Sequence, residues 1–144
     1  MPDFRFLLKV SRPRFWIYIF GPYLIGLVAA VKYKQELLDW RVLVFGLFCT
    51  LPANLLIYGI NDIFDYETDK LNPKKEGYEA LVTPERRGCV ITAILITNIP
   101  FVAVAATLGV QPTIAFASFL FYSIFYSGPP IRAKAWPFLD SLFN

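Results

Sequence analysis

Four residues that could share a metal stand in one short run, Asn61-Asp62-Ile63-Phe64-Asp65-Tyr66-Glu67-Thr68-Asp69. On a helix, steps of three and four place Asp62, Asp65 and Asp69 on one face. Asn61, Asp65 and Asp69 form a line beside them, and Asn54 and Tyr58 extend the Asp62 stripe upward into apolar sequence. Like charges one turn apart destabilise a helix by about 0.2–0.5 kcal/mol. A charge near hydrocarbon costs about 3 kcal/mol on insertion scales. A hard divalent cation would relieve both costs. Amide and carboxylate oxygens suit magnesium, which keeps waters and bridges to phosphate groups. Asn61, Asp62, Asp65 and Asp69 are therefore candidate metal ligands. Lys70, Lys74, Lys75, Arg132 and Lys134 in the neighbouring loops favour an anionic co-ligand. The bland reading, the solvated polar end of a membrane helix, uses the same residue types.

The elements that must position these groups are apolar. Of 144 residues, 56% are hydrophobic and 17% charged, against about 25% charged in soluble domains. A chain this short cannot bury that much apolar surface in a core of its own, so lipid is its expected solvent. Apolar stretches lie at 15–31, 42–58 (with a helical continuation to 69), 89–108 and 114–127. Spanning takes about 20 residues, with about 17 as the lower limit. The first three stretches qualify, and Thr113 and Tyr126-Ser127 can extend the fourth. Asn72-Pro73 marks a turn. Thr83-Pro84-Glu85 reads as the cap and first turn of the third helix. Gly128-Pro129-Pro130 stops the fourth. The fold class is all-α, a polytopic transmembrane helical bundle.

Basic residues alternate in their side of the membrane. They precede the first helix (Arg5, Lys9, Arg12, Arg14), follow the second (Lys70, Lys74, Lys75, Arg86, Arg87) and follow the fourth (Arg132, Lys134); between the first and second, Lys32, Lys34 and Arg41 are offset by Glu36 and Asp39, and between the third and fourth there are none. This predicts an integral, multi-pass membrane protein with its N-terminus and the loops after helices two and four cytoplasmic. Arg12 and Arg14 suit simple interfacial anchors. The length of the first run and the lack of a small-x-small site argue against a cleaved signal. There is no basic patch interleaved with stacking aromatics, so no nucleic-acid partner is expected. Cys49 and Cys89 share no metal spacing and read as small buried hydrophobes.

The acidic run resembles the first aspartate-rich motif, N-D-x-x-D-x-x-x-D, of the UbiA-type intramembrane prenyltransferases. Ser11-Arg12-Pro13-Arg14-Phe15-Trp16 is similar to that family's entry into its first helix. Tyr126-Ser127-Gly128-Pro129-Pro130-Ile131-Arg132-Ala133-Lys134 is similar to its basic segment after the fourth. The resemblance implies a bundle of about nine spans, of which four are present, around a cavity open to lipid. It implies magnesium and a prenyl diphosphate held by Asn61, Asp62, Asp65 and Asp69, with Asp65, Asp69 and Lys134 catalytic. Arg132 and Lys134 would neutralise the diphosphate. Tyr126, Tyr58, Lys74 and Lys75 complete the implied substrate site. The family's second aspartate motif has no match, since Asp140 stands alone. The expectation is an N-terminal half of such a domain, inactive by itself.

The implied reaction is magnesium-dependent transfer of a prenyl group to a lipophilic acceptor within the bilayer. Lysine, arginine and metal would stabilise charge developing on the leaving diphosphate. Aromatic faces of Tyr58, Phe64, Tyr66, Tyr122 and Tyr126 would stabilise an allylic cation. Asn72-Pro73-Lys74-Lys75-Glu76-Gly77 and Trp136-Pro137-Phe138-Leu139-Asp140-Ser141 look most like the carotenoid-elongating branch. Aromatic and quinone precursors are the other acceptors the superfamily implies. A membrane transporter or ion-binding bundle and a non-catalytic assembly fragment are the competing classes.

Overall fold

The computed structural model describes residues 3–73, 75 and 79–143. Among these residues the regular structure is helical, with no strand. A helix satisfies its backbone N–H and C=O groups internally, which hydrocarbon demands. In chain order the α-helices are α1 (Phe4–Val10), α2 (Ile17–Ala30), α3 (Trp40–Phe48), α4 (Leu51–Phe64), α5 (Tyr66–Asp69), α6 (Arg87–Thr107), α7 (Val110–Ser127) and α8 (Pro137–Phe143). Short 3-10 turns occupy Pro13–Phe15, Lys34–Leu38, Pro84–Arg86 and Ala133–Ala135.

Among the described residues, three stretches are long and apolar enough to cross a membrane: Pro13–Ala30, Trp40–Phe64 and Pro84–Thr107. The fourth expected span forms as α7 but is diluted by Gln111, Thr113, Ser118 and Ser123. α2 has no buried residue. Its Ile25 and Val28 are 73% and 74% exposed, as expected of a helix whose solvent is lipid. α1 and α8 lie outside the apolar stretches and were not expected.

The second expected helix is two. Pro52 sits in the first turn of α4 and has no N–H to continue α3. Asn54, fully buried, donates its side-chain amide to the Cys49 carbonyl at 3.1 Å and the Thr50 carbonyl at 2.7 Å. These bonds hold the break at 49–50. Asn54 therefore serves the helix joint and is not an upward extension of the acidic stripe. At the start of α3, Asp39 caps the helix by accepting from the Arg41 N–H. Hydrogen bonds from Arg41 hold the Asp39 carboxyl down to about 2, so the cap stays charged. Thr83 makes no side-chain cap bond; a 3-10 turn at Pro84–Arg86 precedes α6 instead.

α4 is the centre of the bundle and packs on α1, α3, α6 and α7. One core joins Val10, Leu55, Leu56, Ile63, Val82, Val90 and Ile94. A second surrounds Phe48 and Ala53 with Phe45, Phe101, Phe116 and Phe119. In lipid such contacts hold by close packing, and small residues let helices approach. Gly59 is such a point: a Cβ there would lie 3.0 Å from Ile94 Cδ1 and 3.1 Å from Val90 Cγ1. Cys49 is buried as expected, whereas Cys89 is only half-buried; both are free thiols.

Candidate active site

The start of α2, the end of α4, the start of α6 and the end of α7 lie at one end of the bundle. The charged residues gather there because each helix boundary contributes a polar loop to it. α4 stops at Phe64. Asp65 takes φ −102° and ψ 10°, and α5 begins at Tyr66. The expected continuous helix to Asp69 is therefore jointed at Asp65. The acidic motif falls into two clusters, each gathered by its own cations.

The first cluster is internal. Asp62 is 1% exposed. Its Oδ1 accepts from Arg12 at 2.7 Å and from Lys75 at 2.7 Å. The Lys75 ammonium also lies 2.9 Å from Asp69 and 3.5 Å from Glu79. Glu79 in turn is 3.1 Å from both Arg12 and Arg14. Among the described residues, three carboxylates thus meet three cations, Arg12, Arg14 and Lys75. Burying these charges is tolerable only because each has an opposite partner. The Arg12 guanidinium also lies over the Tyr58 ring, 4.7 Å from its centroid, a cation–π contact.

The second cluster is open. Lys134 donates to Asn61 Oδ1 at 2.8 Å and to the Asp65 carboxylate. Arg132 donates to the other Asp65 oxygen at 3.1 Å, and the Ser127 hydroxyl donates to Asn61 at 3.0 Å. One carboxylate here faces two cations, which leaves one positive charge in excess. Arg132 is half exposed, so the excess faces outward, where an anion can reach it. Arg12 and Arg132 both hold left-handed backbone, at φ 50° and 45°. Each precedes a 3-10 turn; Arg12 itself reaches Asp62 of α4, and Lys134 of the second turn reaches Asn61. A non-glycine residue in this region carries strain of about 1–3 kcal/mol and persists where surrounding contacts fix it.

Beside the second cluster is a cavity of about 610 Å³. Tyr18, Tyr58, Tyr122 and Tyr126 line it together with Ile57 and Phe119. An adjoining apolar cavity of about 600 Å³ shares Tyr18, Ile19 and Phe119 and continues toward Pro112. The walls are aromatic, and Tyr126 in the lining precedes the Ser127–Lys134 segment that carries the second cluster's cations, an arrangement suited to an apolar chain with an anionic head.

The residues expected from the motif fall accordingly. Asn61, Asp65, Arg132 and Lys134 come together, and Tyr58 and Tyr126 line the cavity next to them. Asp62, Asp69 and Lys75 belong to the internal cluster instead, so the three aspartates do not converge on one point. Among the described residues no three acidic or thiol groups form a ready metal site. Lys74, Glu76 and Gly77 lie outside the described residues. Phe64 packs against Gly128, and Tyr66 faces Lys70 and Arg87 rather than the cavity. Glu79, Ser127, Asp140 and the ion-pairing role of Arg12 were not read from the sequence. Glu79 shares its loop with Glu76 and Glu85, so residue type and position did not single it out.

Each cluster turns oxygens on one ammonium. In the second, Lys134 bridges the Asn61 and Asp65 oxygens and is more exposed than Lys75. Hard oxygen donors of this kind suit magnesium. Lys75 already fills the corresponding place between Asp62 and Asp69.

The family model described as the UbiA prenyltransferase family matches residues 19–144. A lycopene elongase/hydratase of Haloarcula japonica is 38% identical over 143 residues, covering 96% of this chain and 47% of that protein. The Halobacterium salinarum protein of the same name is 39% identical over 141 residues, 98% of this chain and 50% of its own length. That of Corynebacterium glutamicum is 33% identical over 144 residues, 99% of this chain and 49% of its own. The chain spans about half the length of the curated relatives it matches. No solved structure matches it.

Proposed function

The chain belongs to the UbiA prenyltransferase family, and from that premise we propose that it supplies the diphosphate-binding half of a site transferring a prenyl group within the membrane. The observation that carries this reading is the unbalanced second cluster. Lys134 and Arg132 outnumber the one carboxylate, Asp65, that they hold. An allylic diphosphate brings negative charge to that excess. The internal cluster keeps α4 in place while it does so.

Asn61 and Asp65 would hold magnesium, which when bound supplies positive charge against the diphosphate oxygens. Lys134 and Arg132 stabilise the negative charge that grows on the leaving group as the carbon–oxygen bond breaks. Asp69 is a weaker candidate for the same role, since Lys75 engages it. The prenyl chain lies among Tyr18, Tyr58, Tyr122 and Tyr126, whose ring faces favour an allylic cation without bonding to it. The walls of the two joined cavities exclude water along the chain.

The acceptor is a polyene of the carotenoid class, and the reaction both extends it and adds water. The relatives' name, lycopene elongase/hydratase, supports this. The positive-inside pattern puts the second cluster's cations on the cytoplasmic side. The test is to feed labelled prenyl diphosphate to membranes holding the full-length protein. Magnesium-dependent transfer of label to a polyene is expected, and Asp65→Ala should abolish it. Undiminished transfer by that variant would overturn the assignment.

A further inference from the structure

One polar contact in the cavity wall has no part in binding the diphosphate. The Tyr126 hydroxyl donates to Asp140 Oδ1 at 2.8 Å, joining the end of α7 to α8. Tyr126 lines the aromatic cavity. Among the described residues no basic group stands within ion-pair distance of Asp140, because Arg132 and Lys134 engage Asp65. Asp62, Asp65, Asp69 and Glu79, by contrast, all pair with cations. Those four carboxylates are engaged within the two charged clusters. Asp140 is held only by a neutral phenol.

From this juxtaposition we propose that Tyr126 and Asp140 together accept the proton when water ends the reaction. The proposal rests on the prenyl-transfer reading above. Addition of the allylic cation to a carbon–carbon double bond forms one new carbon–carbon bond and leaves the positive charge on the neighbouring acceptor carbon. A water oxygen bonds to that carbon. One of its O–H bonds breaks, and the proton goes to the Tyr126 oxygen. The original Tyr126 proton passes along the existing hydrogen bond to Asp140 Oδ1. A cation, a water and a carboxylate become an alcohol and a neutral carboxylic acid, so atoms and charge balance. The phenol can do this because its hydrogen points to Asp140, which leaves its lone pairs for a water. Tyr18, Tyr58 and Tyr122 also carry hydroxyls, but among the described residues it is Tyr126 whose hydroxyl donates to a carboxylate that can take the proton on.

Asp140→Asn separates this role from a merely positional one, because the amide oxygen still accepts the Tyr126 hydrogen bond but takes up no proton. The full-length protein is assayed with labelled prenyl diphosphate and a polyene, and products with and without added water are separated by mass. Asp140→Asn and Tyr126→Phe are each expected to lower the hydrated share of prenylated product about tenfold or more. Asp140→Glu is expected to restore it. An unchanged hydrated share in Asp140→Asn overturns the proposal, as does loss of both products together. Failure of the transfer reading itself looks different, since the unaltered protein would then consume no prenyl diphosphate at all.

Discussion

Arg12 and Asp62, 50 positions apart in sequence, meet at 2.7 Å. The Asp62 side chain is fully shielded, and that of Arg12 is only 15% exposed. Removing one partner of a buried pair costs about 3–5 kcal/mol. Lys75 remains on Asp62, so Arg12→Met is expected near the lower end of that range. The thermal midpoint of the purified full-length protein should fall by several degrees. A midpoint equal to the unaltered protein would reduce Arg12 to an interfacial anchor.

Lys134 tests the open cluster. It has less shielding than Lys75, and its partners are Asn61 and Asp65. Lys134→Met should lower the thermal midpoint less than Lys75→Met, because its partner Asp65 is 20% exposed whereas Asp62 is fully shielded. Turnover should fall by about 10²–10³, the usual cost of removing one group that stabilises developing negative charge. Lys75→Met should chiefly destabilise the fold. The comparison fails if both variants lose stability equally.

Much of this arrangement is legible in the residues. The apolar runs predict the helices, and N-D-x-x-D marks where chemistry gathers. The division of the aspartates is not legible, because it depends on tertiary partners. Nothing local distinguishes Asp62 from Asp65. Asp62 becomes internal only because α1 brings Arg12 and the following loop brings Lys75. The break between α3 and α4 had a local sign in Pro52, but a proline in the first turn of a new helix and one inside a continuing helix look alike until the flanking carbonyls are traced. The amide of Asn54 read as part of a polar stripe because periodicity says which face a residue is on, not which partner it finds.

Asn54 gives the third expected outcome. Its amide satisfies two carbonyls at the α3–α4 joint, and leaving buried polar groups unpaired costs about 1–3 kcal/mol. Asn54→Leu should lower the thermal midpoint of the detergent-purified protein and speed hydrogen exchange of the backbone amides near residues 49–50 by opening that joint. Faster exchange elsewhere with residues 49–50 still protected would show that Pro52 alone maintains the break.

Gly59 offers a test of packing with a built-in rescue. Alanine there would press on Ile94 Cδ1 at 3.0 Å and Val90 Cγ1 at 3.1 Å. Overpacking of this kind costs about 1–3 kcal/mol. Gly59→Ala should destabilise the protein, and Ile94→Val, which removes the Cδ1 atom, should recover part of the loss. If the double variant is less stable than either single one, the α4–α6 contact is not where the strain lies.

Arg132 separates backbone from charge. Its φ of 45° suits glycine and strains any residue with a Cβ. Its side chain is about half exposed, so its ion pair with Asp65 adds little to stability. Its backbone is fixed by its own N–H on the Gly128 carbonyl at 2.9 Å and by the Ala135 N–H on its carbonyl at 2.9 Å. Arg132→Ala keeps the strained backbone and loses the charge; Arg132→Gly loses both charge and strain. The glycine variant should therefore be the more stable of the two, by about 1 kcal/mol. Both should bind the diphosphate more weakly, seen as a raised KM for the prenyl donor. Equal stability of the two variants would mean that the left-handed turn is not what these backbone bonds maintain. An unchanged KM in both would remove Arg132 from the anion site and leave Lys134 as the cation that meets the substrate.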